Sequence, residues 1–272
     1  MICLRGHAAL VTGGTQGVGR AIALALARAG ADVVIHGLRI DSSAEQTAEE
    51  CRQHHVRVWL IEGDLAGPTE TAVDHVFSQA LAAHPGLDIL ISNAGTYREP
   101  HFLEIDYATF EYTMRLNVFS HFFLVQRFAR HWVRHAVAGR VLLIGSINGR
   151  LSEPQHAAYD TSKGAIEAMV RTLCVSLAPL GIRVNGLAPG LFITPLTAPA
   201  LADPKILSWM QLHTPNGRVP GPEVCGAAAA FLVSDLAEHI HGQMLLVDGG
   251  MSAWQQPDPP ADWSPPARPA ST

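Results

Sequence analysis

The chain has 272 residues, 48% of them hydrophobic, which is enough for one large α/β domain rather than two small ones. Its formal net charge is -5 and only 16% of its residues are charged, which excludes the basic surface typical of nucleic-acid-binding proteins. No apolar run approaches the roughly 20 residues that a membrane-spanning helix needs. The first predicted strand follows so soon after Met1 that we expect no signal peptide.

Cysteine and histidine spacing argues against disulfides and metal sites. The four cysteines stand at positions 3, 51, 174 and 225 and form no CxxC pair, so we expect reduced thiols and a cytoplasmic location. His131 and His135 are four residues apart on a predicted helix, but no third ligand stands at a recognisable spacing. We therefore predict no metal and a solvated surface for these histidines.

Apolar runs of strand length alternate with longer segments of helical period. The predicted strands are Ala8–Thr12, Asp32–His36, Val56–Ile61, Leu87–Ser92, Arg140–Gly145, Ile182–Leu187 and Met244–Val247. The predicted helices are Val18–Ala29, Ala44–His54, Thr69–Ala83, Tyr107–Ala136, Ala157–Leu180 and Pro222–Val233. Strands that are apolar throughout suit a parallel sheet covered on both faces, and the alternation implies right-handed crossovers. The sequence predicts a single doubly wound, Rossmann-like α/β sheet of about seven strands.

We assign residues 1–254 to this one domain, because the composition changes abruptly after them. Residues 255–272 are rich in proline and cannot join the sheet, so we expect a tail that is disordered or packed on a neighbouring subunit. Pro257 with Pro260, and Pro266 with Pro269, also fit a PxxP ligand pattern. A scaffold role through this tail is therefore one alternative function.

The first predicted strand runs into a glycine-rich turn that a helix follows at once. The turn reads Thr12-Gly13-Gly14-Thr15-Gln16-Gly17-Val18-Gly19, with the spacing G-x-x-x-G-x-G. In this position, backbone amides and the helix N-terminus can face a pyrophosphate. Glycines also serve tight turns without any ligand, but the place after strand one of an alternating α/β chain favours nucleotide binding.

A serine, a tyrosine and a lysine surround the start of the helix that follows the fifth strand. Tyr159 and Lys163 are four residues apart and so share one helix face. The ammonium favours the phenolate and so lowers the tyrosine pKa from its usual ~10. Lowering this pKa to about 7 requires roughly 4 kcal/mol of preferential interaction with the phenolate, to which a bound oxidised nicotinamide would contribute. Ser146, at the strand end, could hold a substrate oxygen beside the phenol. Without the other motifs, Tyr159 and Lys163 could equally be an exposed pair on the helix, and Ser146 could be a capping residue.

In their order along the chain, these motifs resemble those of the short-chain dehydrogenase/reductase family over roughly residues 7 to 251. The glycine turn matches the family's T-G-x-x-x-G-x-G, and Ser146, Tyr159 and Lys163 match its serine and its Y-x-x-x-K pair. The other matches are Ser92-Asn93-Ala94-Gly95 for N-N-A-G, Asn117 for the helix-borne asparagine, Pro189-Gly190-Leu191-Phe192-Ile193-Thr194 for P-G-x-x-x-T, and Val247-Asp248-Gly249-Gly250 for V-D-G-G. The chain is similar to both the 3-oxoacyl-carrier-protein reductase and the sugar/polyol dehydrogenase branches.

The resemblance implies an NAD(P)-dependent oxidoreductase that moves hydride between a nicotinamide and a secondary alcohol or ketone. Tyr159 would exchange a proton with the substrate oxygen, Lys163 would bind the nicotinamide ribose and lower the tyrosine pKa, and Asn117 would support a water that carries the proton onward. The implied cofactor-binding residues are Gly13, Thr15, Gln16, Gly17, Val18, Gly19, Arg39, Asp64, Leu65, Asn93, Ala94, Gly95, Tyr159, Lys163, Pro189, Gly190, Phe192 and Thr194. The alternative is a catalytically silent nucleotide-binding regulator of the same fold.

The end of the second strand bears on the choice between NAD and NADP. An acid there would bind the adenosine ribose diol of NAD, whereas an arginine would accept the 2′-phosphate of NADP. Gly37 supplies no acid and Arg39 can reach a phosphate, so the sequence favours NADP. Gln16 stands where many NADP-dependent members carry a basic residue, and NAD remains the alternative.

The resemblance also implies self-assembly and a substrate cover. Members often form tetramers through the helices corresponding to Tyr107–Ala136 and Ala157–Leu180. The second carries an apolar stripe of Ala165, Ile166, Met169, Val170, Leu173 and Leu177, which could also pack on the chain's own sheet. We expect a homotetramer or homodimer that acts on a small molecule, without a nucleic-acid or membrane partner. Residues 197–215 are expected to cover the substrate.

Overall fold

A computed structural model describes residues 2–97 and 100–254 of the chain; the predicted tail and its PxxP pattern lie outside these residues. The described strands are β1 (Ala8–Val11), β2 (Asp32–Gly37), β3 (Val58–Glu62), β4 (Ile89–Ser92), β5 (Arg140–Ile144), β6 (Arg183–Pro189) and β7 (Met244–Val247). They form one parallel seven-stranded sheet in the order β3-β2-β1-β4-β5-β6-β7. The predicted sheet is confirmed, with shifts of one or two residues at most strand ends.

Helices cover both faces of this sheet. They are α1 (Gly17–Arg28), α2 (Ser42–Arg52), α3 (Thr69–Ala83), α4 (Tyr107–Met114), α5 (Ser120–His135), α6 (Ala157–Leu177), α7 (Ala198–Leu201), α8 (Pro204–Leu212) and α9 (Val224–Val233). No helix in the described part of the chain combines the length and the apolar character that crossing a membrane requires.

Two hydrophobic cores lie on opposite faces of the sheet, because successive side chains of a strand point to opposite sides. On β1, Leu10 joins the core formed with α3, α5 and α6, whereas Val11 joins the core formed with α1, α2 and α9. Trp132 of α5 is fully buried in the first core, and its indole Nε1 donates to the Leu87 carbonyl at 2.7 Å. Strands buried on both faces explain why the sequence shows continuous apolar runs rather than alternation.

The sheet order reverses beside β1, which pairs with β2 on one side and with β4 on the other. The connections on the two sides of this point diverge, which leaves a crevice at the carboxyl ends of the strands. The fold therefore directs the loops after β1 and β4 toward a common space.

The segment predicted as one helix, Tyr107–Ala136, is continuous but not regular. A π-helical turn, Arg115–Phe119, separates α4 from α5, and the Ser120 N–H donates to the Arg115 carbonyl five residues earlier. Asn117 lies in this turn and is fully buried. Such turns occur mostly at functional sites.

The apolar stripe predicted on α6 is mainly part of the chain's own core. Ile166, Met169 and Val170 are buried against the sheet, and Leu173 and Leu177 pack on that core with partial exposure.

The residues expected to cover the substrate form α7 and α8, on which Leu201 is buried while Trp209 is half exposed.

Candidate active site

The loops that follow six of the strands line one cleft of about 620 Å³. Every residue predicted to bind the cofactor lines it: Gly13, Thr15, Gln16, Gly17, Val18, Gly19, Arg39, Asp64, Leu65, Asn93, Ala94, Gly95, Tyr159, Lys163, Pro189, Gly190, Phe192 and Thr194. Ser146 lines it too. Asn117 is instead buried behind Thr96, which does line the cleft. Lining residues that the sequence analysis did not propose as ligands include His36, Gly37, Ser43, Thr96, Tyr112, Leu116, Leu196 and Thr197.

The glycine turn is packed so closely that its last glycine has no room for a side chain. A Cβ on Gly19 would lie 2.1 Å from the Gly13 carbonyl oxygen and 2.5 Å from Asn93 Nδ2. Within the described turn, Gln16 at the start of α1 makes no side-chain capping bond, and no acidic residue stands in the first helical turn. The amide N–H groups and the positive end of the helix dipole are thus left for an anion.

Side-chain hydrogen bonds fix the glycine turn to the loop after β4. Thr12 Oγ1 accepts from the backbone N–H groups of Asn93 at 2.9 Å and Ala94 at 3.0 Å. Asn93 Nδ2 donates to the carbonyls of Thr12 at 2.9 Å and Gly13 at 3.1 Å. These bonds hold the two sides of the crevice at a fixed separation.

A buried histidine, to which the sequence analysis gave no role, joins three of the loops. His36 Nδ1 accepts from the Gly13 N–H at 3.3 Å, and its Nε2 lies 3.0 Å from the Gly63 carbonyl oxygen. This pair of bonds requires a neutral ring with its proton on Nε2. Burial lowers the pKa of His36 to about 4, so the ring is neutral at pH 7. A histidine ending an apolar strand was the sequence signal for this role.

Lys163 is buried beside the end of β5. Its Nζ donates to the Ile144 carbonyl at 3.0 Å and lies 5.5 Å from the centroid of the Tyr159 ring. Burial lowers the pKa of Lys163 to about 8, because the ammonium has been removed from water. The side chain still carries its proton at pH 7, so the structure places a cation next to the phenol, as the helical spacing predicts.

Ser146 begins the turn after β5. Its Oγ accepts from the Asn148 N–H at 3.1 Å and lies 3.3 Å from Asn148 Oδ1. The buried Asn148 side chain in turn donates from Nδ2 to Asp160 Oδ1 at 2.9 Å and to Glu153 Oε1 at 3.2 Å. The serine hydroxyl is therefore held at the cleft wall by a network that continues into α6.

Asn117 holds the segment after β4 rather than facing the cleft. Its Oδ1 accepts from the Thr96 N–H at 2.8 Å, and its Nδ2 donates to the Thr96 carbonyl at 2.9 Å and to Ser162 Oγ at 3.0 Å. Both amide N–H groups thus have protein acceptors. A second buried side chain, His121, braces the same segment, since its Nε2 lies 2.8 Å from the Ala94 carbonyl oxygen.

The loop after β6 is closed by a threonine that sequence analysis missed. Thr197 Oγ1 donates to the Phe192 carbonyl at 2.5 Å and accepts from the Thr194 N–H at 3.0 Å. Gly190 donates its N–H to Val247 on β7 at 2.9 Å. The predicted Pro189–Thr194 segment is thereby tied to both the sheet edge and the start of α7.

Steric contacts at the end of β2 bear on cofactor choice. A Cβ on Gly37 would lie 2.7 Å from Thr15 Cγ2 and 3.0 Å from the Arg39 carbonyl oxygen. An acidic side chain at position 37 therefore does not fit while Thr15 keeps its place. Arg39 is exposed at the mouth of the cleft, and Ser43 Oγ donates to the Thr15 carbonyl at 2.9 Å.

The histidine pair on α5 lies on the molecular surface. The rings of His131 and His135 stack with centroids 4.2 Å apart. Over residues 2–97 and 100–254, no group of three or more potential ligands is arranged for a metal ion. All four cysteines are free thiols.

Comparison with known proteins gives matches over nearly the whole chain. A family model described as enoyl-(acyl carrier protein) reductase matches residues 13–252. L-rhamnose 1-dehydrogenase (NADP(+)) of Thermoplasma acidophilum is 34% identical over 251 residues, which is 92% of this chain and 98% of that protein. The 3-oxoacyl-[acyl-carrier-protein] reductase of Aquifex aeolicus is 32% identical over 250 residues, covering 92% and 99%. Among solved structures, a gluconate 5-dehydrogenase from Burkholderia cenocepacia in complex with NADP and tartrate superposes with a TM-score of 0.85 at 31% identity, covering 93% and 98%.

Replacing His36 by Gln is expected to weaken the acid sensitivity of folding. The pKa of His36 falls from 6.5 when unfolded to about 4 when folded, so its contribution is complete above pH 6.5 and is lost as the pH falls toward 4. The free energy of unfolding of the unaltered chain should therefore drop between pH 7.5 and pH 4.5 by about 2–3 kcal/mol more than that of the variant.

Urea unfolding followed by circular dichroism at both pH values measures this difference. His54→Gln, which changes an exposed histidine, is the matched control and should keep the full drop. If the free energy of unfolding drops equally in His36→Gln and in the unaltered chain, His36 is not a neutral ring that stabilises the fold, and the assignment is wrong.

Proposed function

We propose how this chain works from the premise that it belongs to the short-chain dehydrogenase/reductase family and is an NAD(P)-dependent oxidoreductase. In the proposed reaction, hydride passes between the nicotinamide and a secondary alcohol or ketone of a small sugar or polyol. The observation that carries the proposal is the position of Lys163, Tyr159 and Ser146 in one cleft with the glycine turn. Because the relatives are dehydrogenases and reductases, the alternative of a catalytically silent regulator is dropped.

Tyr159 exchanges the proton in this proposal, and the nicotinamide, when bound, supplies or accepts the hydride. The Lys163 ammonium stabilises the phenolate because it is held 5.5 Å from the ring by the Ile144 carbonyl. Ser146 Oγ orients the substrate oxygen next to the phenol. Lys163 also binds the nicotinamide ribose.

Asn117 acts in this proposal as a positioning residue. Its amide fixes Thr96, which lines the cleft, against Ser162 on α6. Because both amide N–H groups are engaged, the water that carries the proton onward would bind to acceptor oxygens in this region.

The residues predicted to bind the cofactor keep that role in the proposal. The amides at the N-terminus of α1 would bind the pyrophosphate, because this helix end has neither a capping side chain nor an acidic residue in its first turn. The Gly13 and Gly14 amides of the glycine turn already donate to His36. Asp64 and Leu65 would contact the adenine, and Asn93 to Gly95 would line the cofactor beside β4. The Pro189–Thr194 loop, braced by Thr197, holds the nicotinamide carboxamide.

NADP is the proposed cofactor. Gly37 has no room for the acid that would bind the ribose diol of NAD, and Arg39 stands exposed at the cleft mouth to receive a 2′-phosphate. The Thermoplasma relative carries NADP(+) in its name, and the Burkholderia structure contains NADP. These observations outweigh the missing basic residue at Gln16.

A small sugar or polyol is favoured over a ketoacyl thioester as the substrate. The rings of Tyr97 and His156, which carry polar atoms, have their centroids 5.8 and 6.1 Å from the centroid of the Tyr159 ring. Polar groups at a reaction centre match a substrate rich in hydroxyls. The relatives with sugar-derived names point the same way.

A second copy of the chain is proposed to cover the outer face of α5 and α6. Apolar side chains remain exposed there by 38–48% in Phe119, Phe122, Phe123 and Val133. Of these, Phe122 and Val133 border a largely apolar groove together with Leu173, Leu177 and Leu180. A homodimer or homotetramer would bury this surface.

The free thiols also agree with the expected cytoplasmic location.

Replacement of Tyr159 by Phe is expected to lower kcat by about 10²–10⁴-fold, because the proton donor is removed. The assay oxidises L-rhamnose, D-glucose and gluconate with NADP, and reduces a 3-oxoacyl thioester with NADPH. The dissociation constant for NADPH, measured by fluorescence, should change little. Tyr107→Phe, at a tyrosine that is 78% exposed, is the control. Undiminished turnover in Tyr159→Phe would refute the proposed reaction.

Replacement of Arg39 by Ala is expected to raise the KM for NADPH about tenfold or more, because a charged hydrogen bond to the 2′-phosphate is lost. The KM for NADH should stay within about twofold, since NADH has no such phosphate. Arg52→Ala, at an exposed arginine on α2, is the matched control. An unaltered enzyme that prefers NADH would overturn the choice of NADP.

Replacement of Phe122 by Asp is expected to dissociate the assembly, because a charge would be buried in the apolar contact. Light scattering after size exclusion measures the mass. Leu236→Asp changes another exposed apolar residue outside the groove and should leave the mass unchanged. A monomeric unaltered chain at micromolar concentration would contradict the proposed assembly.

A further inference from the structure

The helix α8 is largely apolar in sequence, yet none of its residues is buried. Ile206, Trp209 and Leu212 are between 38% and 50% exposed, although Trp209 stacks on His213 with ring centroids 3.8 Å apart. Each of the other described helices buries at least one residue. The three side chains are spaced three residues apart and so lie within about 120° of one another around the helix. We name Ile206, Trp209 and Leu212 the α8 face.

Within the described part of the chain, neither the core nor the cleft takes up the α8 face. No residue of α8 belongs to either hydrophobic core or is among the side chains that pack on them. The cleft is lined by Pro195, Leu196 and Thr197, just before α7, but by no residue of α8. A surface helix normally buries its apolar side, so the α8 face fits a further segment of protein.

The described part of the chain ends close to this helix. Asn216, four residues after Leu212, donates its N–H to the Gly249 carbonyl at 3.2 Å, which joins the turn after α8 to the residues after β7. Trp254, the last described residue, follows Gly249 by only five residues, which span at most ~18 Å. Residues 255–272 therefore start near the C-terminal end of α8.

The composition of residues 255–272 suits an apolar surface that contains an aromatic ring. Six of these 18 residues are prolines, and Trp263 supplies a large aromatic side chain. Proline-rich segments favour the extended polyproline II conformation and so lose little entropy when they dock on aromatic side chains. In that conformation the nine residues up to Trp263 would span ~28 Å, about twice the ~14 Å length of α8. The segment can therefore reach the whole α8 face of its own chain.

We propose that residues 255–272 dock on the α8 face of their own chain, with Trp263 and the neighbouring prolines against Trp209. The docked segment covers the outer side of a helix that belongs to the expected substrate cover. This inference goes beyond the proposed function, because the contact does not depend on the reaction.

The chain's own segment suits this face better than a second copy of the chain. Three apolar side chains offer far less than the ~1,000 Å² that a specific interface between separate molecules needs. A tethered segment is present at an effective concentration in the millimolar range, so a weak contact is enough to hold it. The groove proposed for self-assembly is lined by residues of α5 and α6 and by Leu180, with none from α8. The two contacts therefore do not compete.

Chymotrypsin, which cleaves after aromatic residues, tests the docking on the full chain. Cleavage after Trp263 releases residues 264–272 and is followed by mass spectrometry, with a free peptide of residues 255–272 as the reference. Cleavage of the unaltered chain is expected to be about fivefold slower than that of the peptide, because only the undocked form enters the protease. An unaltered chain that is cleaved as fast as the peptide would overturn the inference.

Variants on the α8 face locate the contact. Trp209→Ala is expected to raise the cleavage rate about fivefold, toward that of the peptide, because the aromatic contact is lost. Ile206→Ser should change the rate in the same direction, and Leu236→Ala, at an exposed apolar residue outside α8, is the matched control. Circular dichroism checks that the variants are folded. If the two α8 variants fold and leave the cleavage rate unchanged, the segment is held elsewhere and the inference is wrong.

A further variant separates docking within one chain from docking on a partner. Phe122→Asp, which is expected to dissociate the assembly, should keep the slow cleavage because the segment and α8 belong to the same chain. Fast cleavage in this variant, or a rate that rises when the unaltered chain is diluted, would mean docking on a partner and would overturn the inference. The assay contains no substrate or cofactor, so a failure of the docking is distinct from a failure of the proposed reaction.

Discussion

The site depends on a buried ammonium that is held by one carbonyl. Lys163 is 5% exposed, and its hydrogen bond to Ile144 ties α6 to the last residue of β5. Removing an ammonium from water is costly, and its pKa of about 8 expresses that cost. The charge is nevertheless kept at pH 7, beside the ring of Tyr159. A hydrophobic residue would pack there at a lower cost, so the proposed reaction explains this charge better than stability does.

Around this cation, the fold holds its loops with side chains rather than with further sheet. Thr12 and Asn93 link the loops after β1 and β4, while His36 links those after β1, β2 and β3. The crevice where the sheet order reverses has no strand pairing to keep it at a set width. These cross-links supply the missing constraint, and they do so with neutral groups.

Sequence reasoning found the parts of the site that lie on periodic elements or in fixed motifs. The sheet, the glycine turn and the i, i+4 relation of Tyr159 and Lys163 follow from local spacing, so they could be predicted. Thr197 could not be assigned, because its role arises from contacts within the loop after β6 that have no sequence period. The α6 stripe illustrates another limit: periodicity reveals an apolar face but not which surface it covers, and most of this face packs on the chain's own sheet.

The π-helical turn at Arg115–Phe119 lets one long helix present two differently oriented faces. An α-helix advances about 100° per residue, so one extra residue in a turn rotates everything beyond it by about that angle. Before the turn, Tyr112 borders the cleft; after it, Leu124 and Phe128 enter the core of the sheet. The helix therefore changes its phase between the part that borders the cleft and the part that packs on the sheet.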